Sequence, residues 1–149
     1  VDQPGLLERF VVDETRAIPL DTRVSEEEAM LAQPLGTAIY ALKKLPNLTD
    51  LDVAVVGQGP MGQLFNASLR NLGARHVIGI DLLESRLAQS PTFGATETVC
   101  NKTDDPVAAV KEILGGNLPD VVIEAVGHYD QQFNLCIDLC RHFGKIASC

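Results

Sequence analysis

The chain has 149 residues, 46% of them hydrophobic, with 12 Lys and Arg against 20 Asp and Glu for a formal net charge of −8. That is the length of one domain, with enough apolar content to build a core and exclude disorder. No basic patch suits nucleic acid, no apolar run approaches a membrane span, and the first residues lack the charged, apolar and small-residue order of a secretory signal. The expected compartment is the cytoplasm, with neither nucleic acid nor membrane as a partner. Cys100, Cys136, Cys140 and Cys149 contain no Cys-x-x-Cys pair, so neither a zinc ribbon nor a redox motif is signalled.

Val1 to Leu20 carries no helical period, and Phe10-Val11-Val12 and Ala17-Ile18-Pro19-Leu20 read as strand fragments. Ser25-Glu26-Glu27-Glu28 is a capping-box pattern that opens a short helix through about Ala32, its glutamates matched to the positive helix end. Pro34 starts a second helix with Leu35, Ala38, Ile39 and Leu42 on one face, ending before Pro46. Asn47 to Asp50 form a polar turn.

Asp52 to Val56 then reads as a short buried strand, running into Gly57-Gln58-Gly59-Pro60-Met61-Gly62. A helix follows at once, with Met61, Leu64, Phe65, Leu69 and Leu72 at helical spacing and Gly73 at its C′ position. The next strand, His76 to Ile80, closes on Asp81, 19 residues past Gly62. In a Gly-x-Gly-x-x-Gly unit each part has a task. Gly57 permits the tight turn, Gly59 admits a pyrophosphate to the backbone, and Gly62 lets the helix pack closely. Pro60 suits the first helical turn, whose free N–H groups and dipole face phosphates. Asp81 would accept hydrogen bonds from the ribose hydroxyls and repel a 2′-phosphate, favouring NAD over NADP. A methyltransferase also uses a glycine loop followed by an acidic residue, but the spacing into an immediate helix fits a dinucleotide better.

Further on, a helix is expected over Leu83 to Gln89, a turn at Phe93-Gly94-Ala95 and a strand at Glu97 to Val99. Asp104 or Asp105 caps a helix with Pro106 at N1 and a stripe of Val107, Val110, Ile113 and Leu114, ended by Gly115-Gly116. A strand at Asp120 to Glu124 runs into Ala125-Val126-Gly127. A helix over Tyr129 to His142 and a strand from Lys145 to Cys149 complete the chain. Cys136 and Cys140 share a helix face with Phe133 and Ile137, which favours packing over a metal or disulfide. His76, His128 and His142 read as structural. Strand and helix alternate five times, so the expected fold class is α/β: a Rossmann-type doubly wound parallel sheet, halted before its sixth strand.

These residues resemble the medium-chain, zinc-type alcohol dehydrogenases and their polyol and threonine dehydrogenase relatives. The resemblance is carried by Ser25 to Ala29, Gln33 to Ala38, the Gly57 to Gly62 loop, and Asp81 with Ser85-Arg86-Leu87-Ala88. Phe93 to Thr96, Val122 to Gly127 and Phe143 to Ile146 extend it. It implies that residues 1–24 are a remnant of a catalytic domain and 25–149 an NAD-binding domain. The implied reaction is hydride exchange between an alcohol and nicotinamide, carried out by the full-length protein and not by this chain alone. The alternative is a non-catalytic NAD(H)-sensing module. By resemblance Thr37 packs on the nicotinamide side, Arg86 lies beside the adenosine ribose, and Val126 and Gly127 meet the nicotinamide ribose. Cys149 offers a carbonyl to the carboxamide. Gly57, Gly59, Pro60, Met61, Gly62 and Asp81 complete the expected cofactor set. Read as a plain helix charge, Arg86 would simply be solvated. Zinc is expected only in the catalytic domain. Gln33 stands where relatives carry a Cys or Glu reaching that zinc, and an amide is a poor ligand, so a helix cap is the simpler reading. A homo-oligomer is implied for the full-length protein.

Overall fold

A computed structural model describes residues 9, 11–127 and 131–148, and the chain divides into two compact units, Val1–Ala32 and Gln33–Cys149. In the first unit the expected strand fragments do not form. Val11, Val12, Ile18 and Leu20 are exposed and in no strand, and Phe10 lies outside the described residues. Asp13 instead caps a 3₁₀ turn at Glu14–Arg16, accepting the Thr15 N–H. A strand needs a neighbour to satisfy its backbone, and sequence pattern supplied none. The capping box does form: the Ser25 hydroxyl accepts the Glu28 N–H and the Glu28 carboxylate accepts the Ser25 N–H. Helix α1 (Glu26–Ala29) is shorter than expected.

Helix α2 (Ala32–Leu42) begins before Pro34, which sits in its first turn where a missing N–H costs nothing. Its buried residues are Ala38 and Leu42, whereas Ile39 is exposed. The second unit is built on strands β1 (Asp52–Val56), β2 (His76–Asp81), β3 (Glu97–Cys100), β4 (Val121–Glu124) and β5 (Lys145–Ser148). All pair in parallel, in the order β3-β2-β1-β4-β5. Helices α3 (Pro60–Asn71), α4 (Glu84–Leu87), α5 (Pro106–Ile113) and α6 (Gln131–Leu139) connect them, with a 3₁₀ turn at Ser90–Phe93 after α4.

Alternation along β1 sends side chains to opposite faces. Val53 and Val55 meet Phe65 and Leu69 of α3 together with Ala38 and Leu42 of α2, while Ala54 and Val56 face Val110 of α5 and Leu139 of α6. The sheet is therefore covered on both faces, as the doubly wound reading requires.

Several boundaries follow local chemistry. Helix α3 ends on Gly73 at φ +85, with the Gly73 N–H on Arg70 O and the Ala74 N–H on Leu69 O, a Schellman closure. Asp105, not Asp104, caps α5 by accepting the Val107 and Ala108 N–H groups. The helix expected over Leu83 to Gln89 is the single turn of α4, and Pro91 lies in the 3₁₀ turn that follows. At the amino ends of the strands, Arg75 pairs with Asp52 and Arg141 with Asp120, and Asp120 also accepts the Asp52 N–H. The neighbouring Asp52 carboxylate holds the Arg75 guanidinium above its ordinary pKa.

On α6, Cys136 and Leu139 are fully buried while Phe133 and Ile137 are exposed, so the apolar face lies elsewhere than expected. Tyr129 and His128 lie outside the described residues. Burial, with smaller effects of Glu124 and Cys140, pushes the Cys136 thiol up to about 12. The folded thiol thus keeps its proton at pH values where the unfolded thiol ionises, so this residue's contribution to stability falls as pH rises above 9.0 toward 12. At pH 8, Cys136 is expected to react with an aromatic disulfide reagent only on unfolding, as read by mass-mapped labelling with and without guanidinium.

Candidate dinucleotide site

The strand order reverses at β1, between β2 and β4, and such switch points open a crevice beyond the carboxyl ends of a parallel sheet. A cavity of about 590 Å³ lies there, lined among others by Gly57, Gly59, Pro60, Asp81, Arg86 and Val126. Two of the three glycines of the loop have a steric reason within the chain. Gly57 adopts φ +94, and a Cβ on it would lie 2.9 Å from Val126 Cγ2 and 3.0 Å from the Ala125 carbonyl. A Cβ on Gly62 would stand 1.9 Å from Gly57 O, so the third glycine lets α3 start against the turn out of β1. A Cβ on Gly59 meets nothing within 4 Å. It would project into open space beside the first turn of α3.

That turn starts at Gly59 with Pro60 in the first position, and its first internal hydrogen bond runs from the Gln63 N–H to Gly59 O at 3.0 Å. The N–H groups of Met61 and Gly62 precede it and have no helical acceptor. Asp81, the last residue of β2, is buried. Its Oδ2 accepts the Gln58 N–H at 2.7 Å and its Oδ1 the Leu83 N–H at 2.8 Å. Oδ1 keeps a second lone pair, so a ligand hydroxyl can still be accepted. The Arg86 guanidinium, half exposed on α4, approaches Asp81 Oδ2 at 3.5 Å.

The remaining sequence candidates are placed differently. Met61 also lines the crevice, while Gly62 lies beneath it. Gly127, exposed at φ +76, follows Val126. Thr37 is exposed on α2, bonded to the Gln33 carbonyl at 3.2 Å and to Gln33 Nε2 at 3.3 Å, and is not among the crevice-lining residues. Gln33 lies inside α2 and does not cap it. Cys149 lies outside the described residues. Of the histidines, His76 faces Glu97 at 3.2 Å and His142 packs edge-on to Phe143. Among the described residues no group of three or more His, Cys, Asp or Glu side chains is placed to hold a metal ion.

The structure adds residues that the sequence pattern did not single out. Glu124, buried at the end of β4, accepts the Val126 and Gly127 N–H groups at 2.7 and 2.9 Å through Oε1 and the Ser148 hydroxyl at 2.7 Å through Oε2. Its position matched that of Asp81, an acid closing an apolar strand, and this was the available signal. Gln58, Gln63, Asn66 and Ser90 are buried under the loop as a polar cluster. The Gln58 side chain fills the notch left by Gly79, where a Cβ would lie 2.7 Å from Gln58 Oε1. No spacing rule announces such a cluster. Helix α3 accordingly buries polar residues beside Phe65 and Leu69, while Leu72, expected on its apolar face, is exposed.

Comparison with known proteins points the same way. L-threonine 3-dehydrogenase of Aeromonas hydrophila is 35% identical over 149 residues, covering 99% of this chain and 43% of that protein. Sorbitol dehydrogenase 1 of Saccharomyces cerevisiae is 32% identical over 148 residues, covering 95% of this chain and 40% of that protein. The chain thus spans about two fifths of the length of these relatives. Alcohol dehydrogenase TADH from Thermus sp. ATN1 superposes with a TM-score of 0.80 at 29% identity, covering 87% of this chain and 37% of that one. The zinc-binding dehydrogenase family profile matches residues 60–149, and with the sheet order and glycine loop described above this chain belongs to that family.

Proposed function

We propose that residues 25–149 form the NAD(H)-binding domain of a zinc-type alcohol or polyol dehydrogenase, which in full-length form exchanges hydride between an alcohol and nicotinamide. The observation that carries this reading is the meeting, in one crevice, of the open Gly59 position, the start of α3 and the Asp81 carboxylate. On this reading the Met61 and Gly62 N–H groups face the pyrophosphate, and Asp81 takes the adenosine ribose hydroxyls with Arg86 beside it. Val126 and Gly127 meet the nicotinamide ribose, with the Cys149 carbonyl on the carboxamide and Thr37 on the nicotinamide side. The bound coenzyme supplies the hydride acceptor or donor, and this chain's residues bind and orient it. Among the described residues no three His, Cys, Asp or Glu side chains are placed to hold a zinc ion, and on this reading zinc is held by the catalytic domain of the full-length protein. An NAD(H)-sensing module without catalysis is the less favoured reading, because the relatives bear the names of dehydrogenases.

The described residues contain no helix long and apolar enough to cross a membrane, and the cytoplasm is the proposed compartment. A homo-oligomer is proposed for the full-length protein.

Isothermal titration is expected to show NADH binding with a clear preference over NADPH, and a preference for NADPH would defeat the role given to Asp81. Asp81→Ala removes a charged acceptor, so NADH affinity should fall by about ten- to a hundredfold and the preference should narrow. The two glycine substitutions should separate binding from folding. Gly59→Ala is expected to leave the urea midpoint within error but to abolish NADH binding, because the new methyl enters the crevice. Gly62→Ala, whose methyl meets a backbone carbonyl, should destabilise the fold by about 2 kcal/mol or more.

A further inference from the structure

Beneath the glycine loop, four uncharged polar side chains take positions that an apolar core would fill with less desolvation. Gln58, Gln63, Asn66 and Ser90 are all buried, and Asn66 and Ser90 completely so. Their hydrogen bonds run in one direction. Asn66 Nδ2 donates to Gln58 Oε1 at 2.6 Å and to Gln63 Oε1 at 3.2 Å, orienting both amides. Ser90 Oγ donates to Gln58 Oε1 at 2.8 Å. The two Gln63 Nε2 hydrogens are then shared among three acceptors: Gln58 O at 3.1 Å, Ser90 Oγ at 3.0 Å and Arg86 O at 3.3 Å.

Gln63 is thus the joint between the glycine loop and the segment that carries Arg86. That segment needs one. Helix α4 has four residues and no side-chain cap, too short to hold its own geometry. Arg86 approaches Asp81 only at 3.5 Å with half its side chain in solvent, so the ion pair contributes little to fixing it. The Arg86 carbonyl accepts the Gln89 N–H at 3.1 Å and the Ser90 hydroxyl at 3.2 Å from its own segment, and Gln63 is what ties it to α3.

We propose that Gln63 is a positioning residue for coenzyme selection: by holding the Arg86 backbone it keeps the guanidinium engaged with Asp81 and away from a 2′-phosphate. The inference rests on the NAD(H) reading above. Once the tether is cut, α4 can shift and Arg86 can follow a 2′-phosphate, so the preference for NADH over NADPH weakens. Asp81 itself is untouched, because its two backbone bonds come from Gln58 and Leu83.

The test is a double-mutant cycle of Gln63→Met, which keeps side-chain length and removes the amide, with Arg86→Ala. NADH and NADPH affinities are measured for the wild type, each single variant and the pair. The expected result is a fall of about tenfold in the NADH preference for Gln63→Met, the size of one lost hydrogen bond, and no further change when Arg86 is already Ala. Equal loss of both affinities, or the same shift in preference without Arg86, would reduce Gln63 to a packing residue and overturn the proposal. Ser90→Ala, which removes one Gln63 acceptor, the donor to Gln58 and a hydroxyl 3.2 Å from Arg86 O, loosens the same joint and repeats the cycle should Gln63→Met fail to fold. A wild type that binds neither dinucleotide would defeat the NAD(H) reading itself. A wild type that discriminates normally, with an additive cycle, would defeat only this inference.

Discussion

The crevice depends on one cross-link. Asp81 ends β2 and accepts the N–H of Gln58, the residue that follows the turn out of β1, at 2.7 Å. Its other oxygen takes the Leu83 N–H and sets the exit toward α4. A buried carboxylate is tolerated only where donors replace water, and two backbone N–H groups with a guanidinium at the rim do so. The same bonds fix the distance between the two neighbouring strand ends. They continue the β1–β2 ladder beyond its last rung, the Gly57 N–H on Ile80 O at 2.8 Å, into the two turns above it.

Beneath this cross-link, two kinds of interior do different work. The sheet is held by Val, Ile and Leu packed against α2 and α3 on one face and α5 and α6 on the other, and such packing tolerates small lateral shifts. The polar cluster of Gln58, Gln63, Asn66 and Ser90 does not, because a displaced amide loses its acceptors outright. It sits only where α3 meets the loop and α4. Even there one atom, Asn66 Oδ1, has no partner, which places a small part of the cluster's desolvation unrecovered in the core.

The parts of this architecture written plainly in the sequence are those governed by local rules. The three glycines, Pro60 at the start of α3, Gly73 at its close, the capping box at Ser25 and the acid at Asp81 each answer to a backbone requirement within a few residues. The parallel sheet and its two covered faces followed from the alternation of strand and helix, whereas the strand order is read from the structure. What stayed hidden depends on contacts distant along the chain. Gln58 and Gly79 are 21 positions apart, and nothing in either neighbourhood says that one fills the space the other leaves. The apolar fragments at Val11 and Ile18 misled for the converse reason: β-propensity without a partner strand makes no strand. Phe133 and Ile137 misled because helical spacing identifies a face without identifying which face meets the sheet.

Glu124 makes the design logic of the strand ends explicit. Like Asp81, it closes a buried parallel strand and accepts two backbone N–H groups, but both of its donors follow it in the chain, whereas Asp81 takes one from Leu83 and one from Gln58 of the neighbouring loop. The two carboxylates differ in what they tie together. Asp81 Oδ2 takes the Gln58 N–H with the Arg86 guanidinium 3.5 Å away and Oδ1 takes the Leu83 N–H, which joins the glycine loop to the exit of β2. Glu124 puts both loop N–H groups on one oxygen and gives the other to the Ser148 hydroxyl of β5, which locks β4, its exit loop and β5 together. A carboxylate at the end of β2 and one at the end of β4 therefore have two outcomes. Asp81 lines the crevice and faces the ribose in the proposed complex, whereas Glu124 is not among the crevice-lining residues and binds its own loop and β5. A pyrophosphate in that crevice would meet the helix N–H groups at the start of α3, and those donors are what allow a crevice with an acidic wall to receive an anionic ligand.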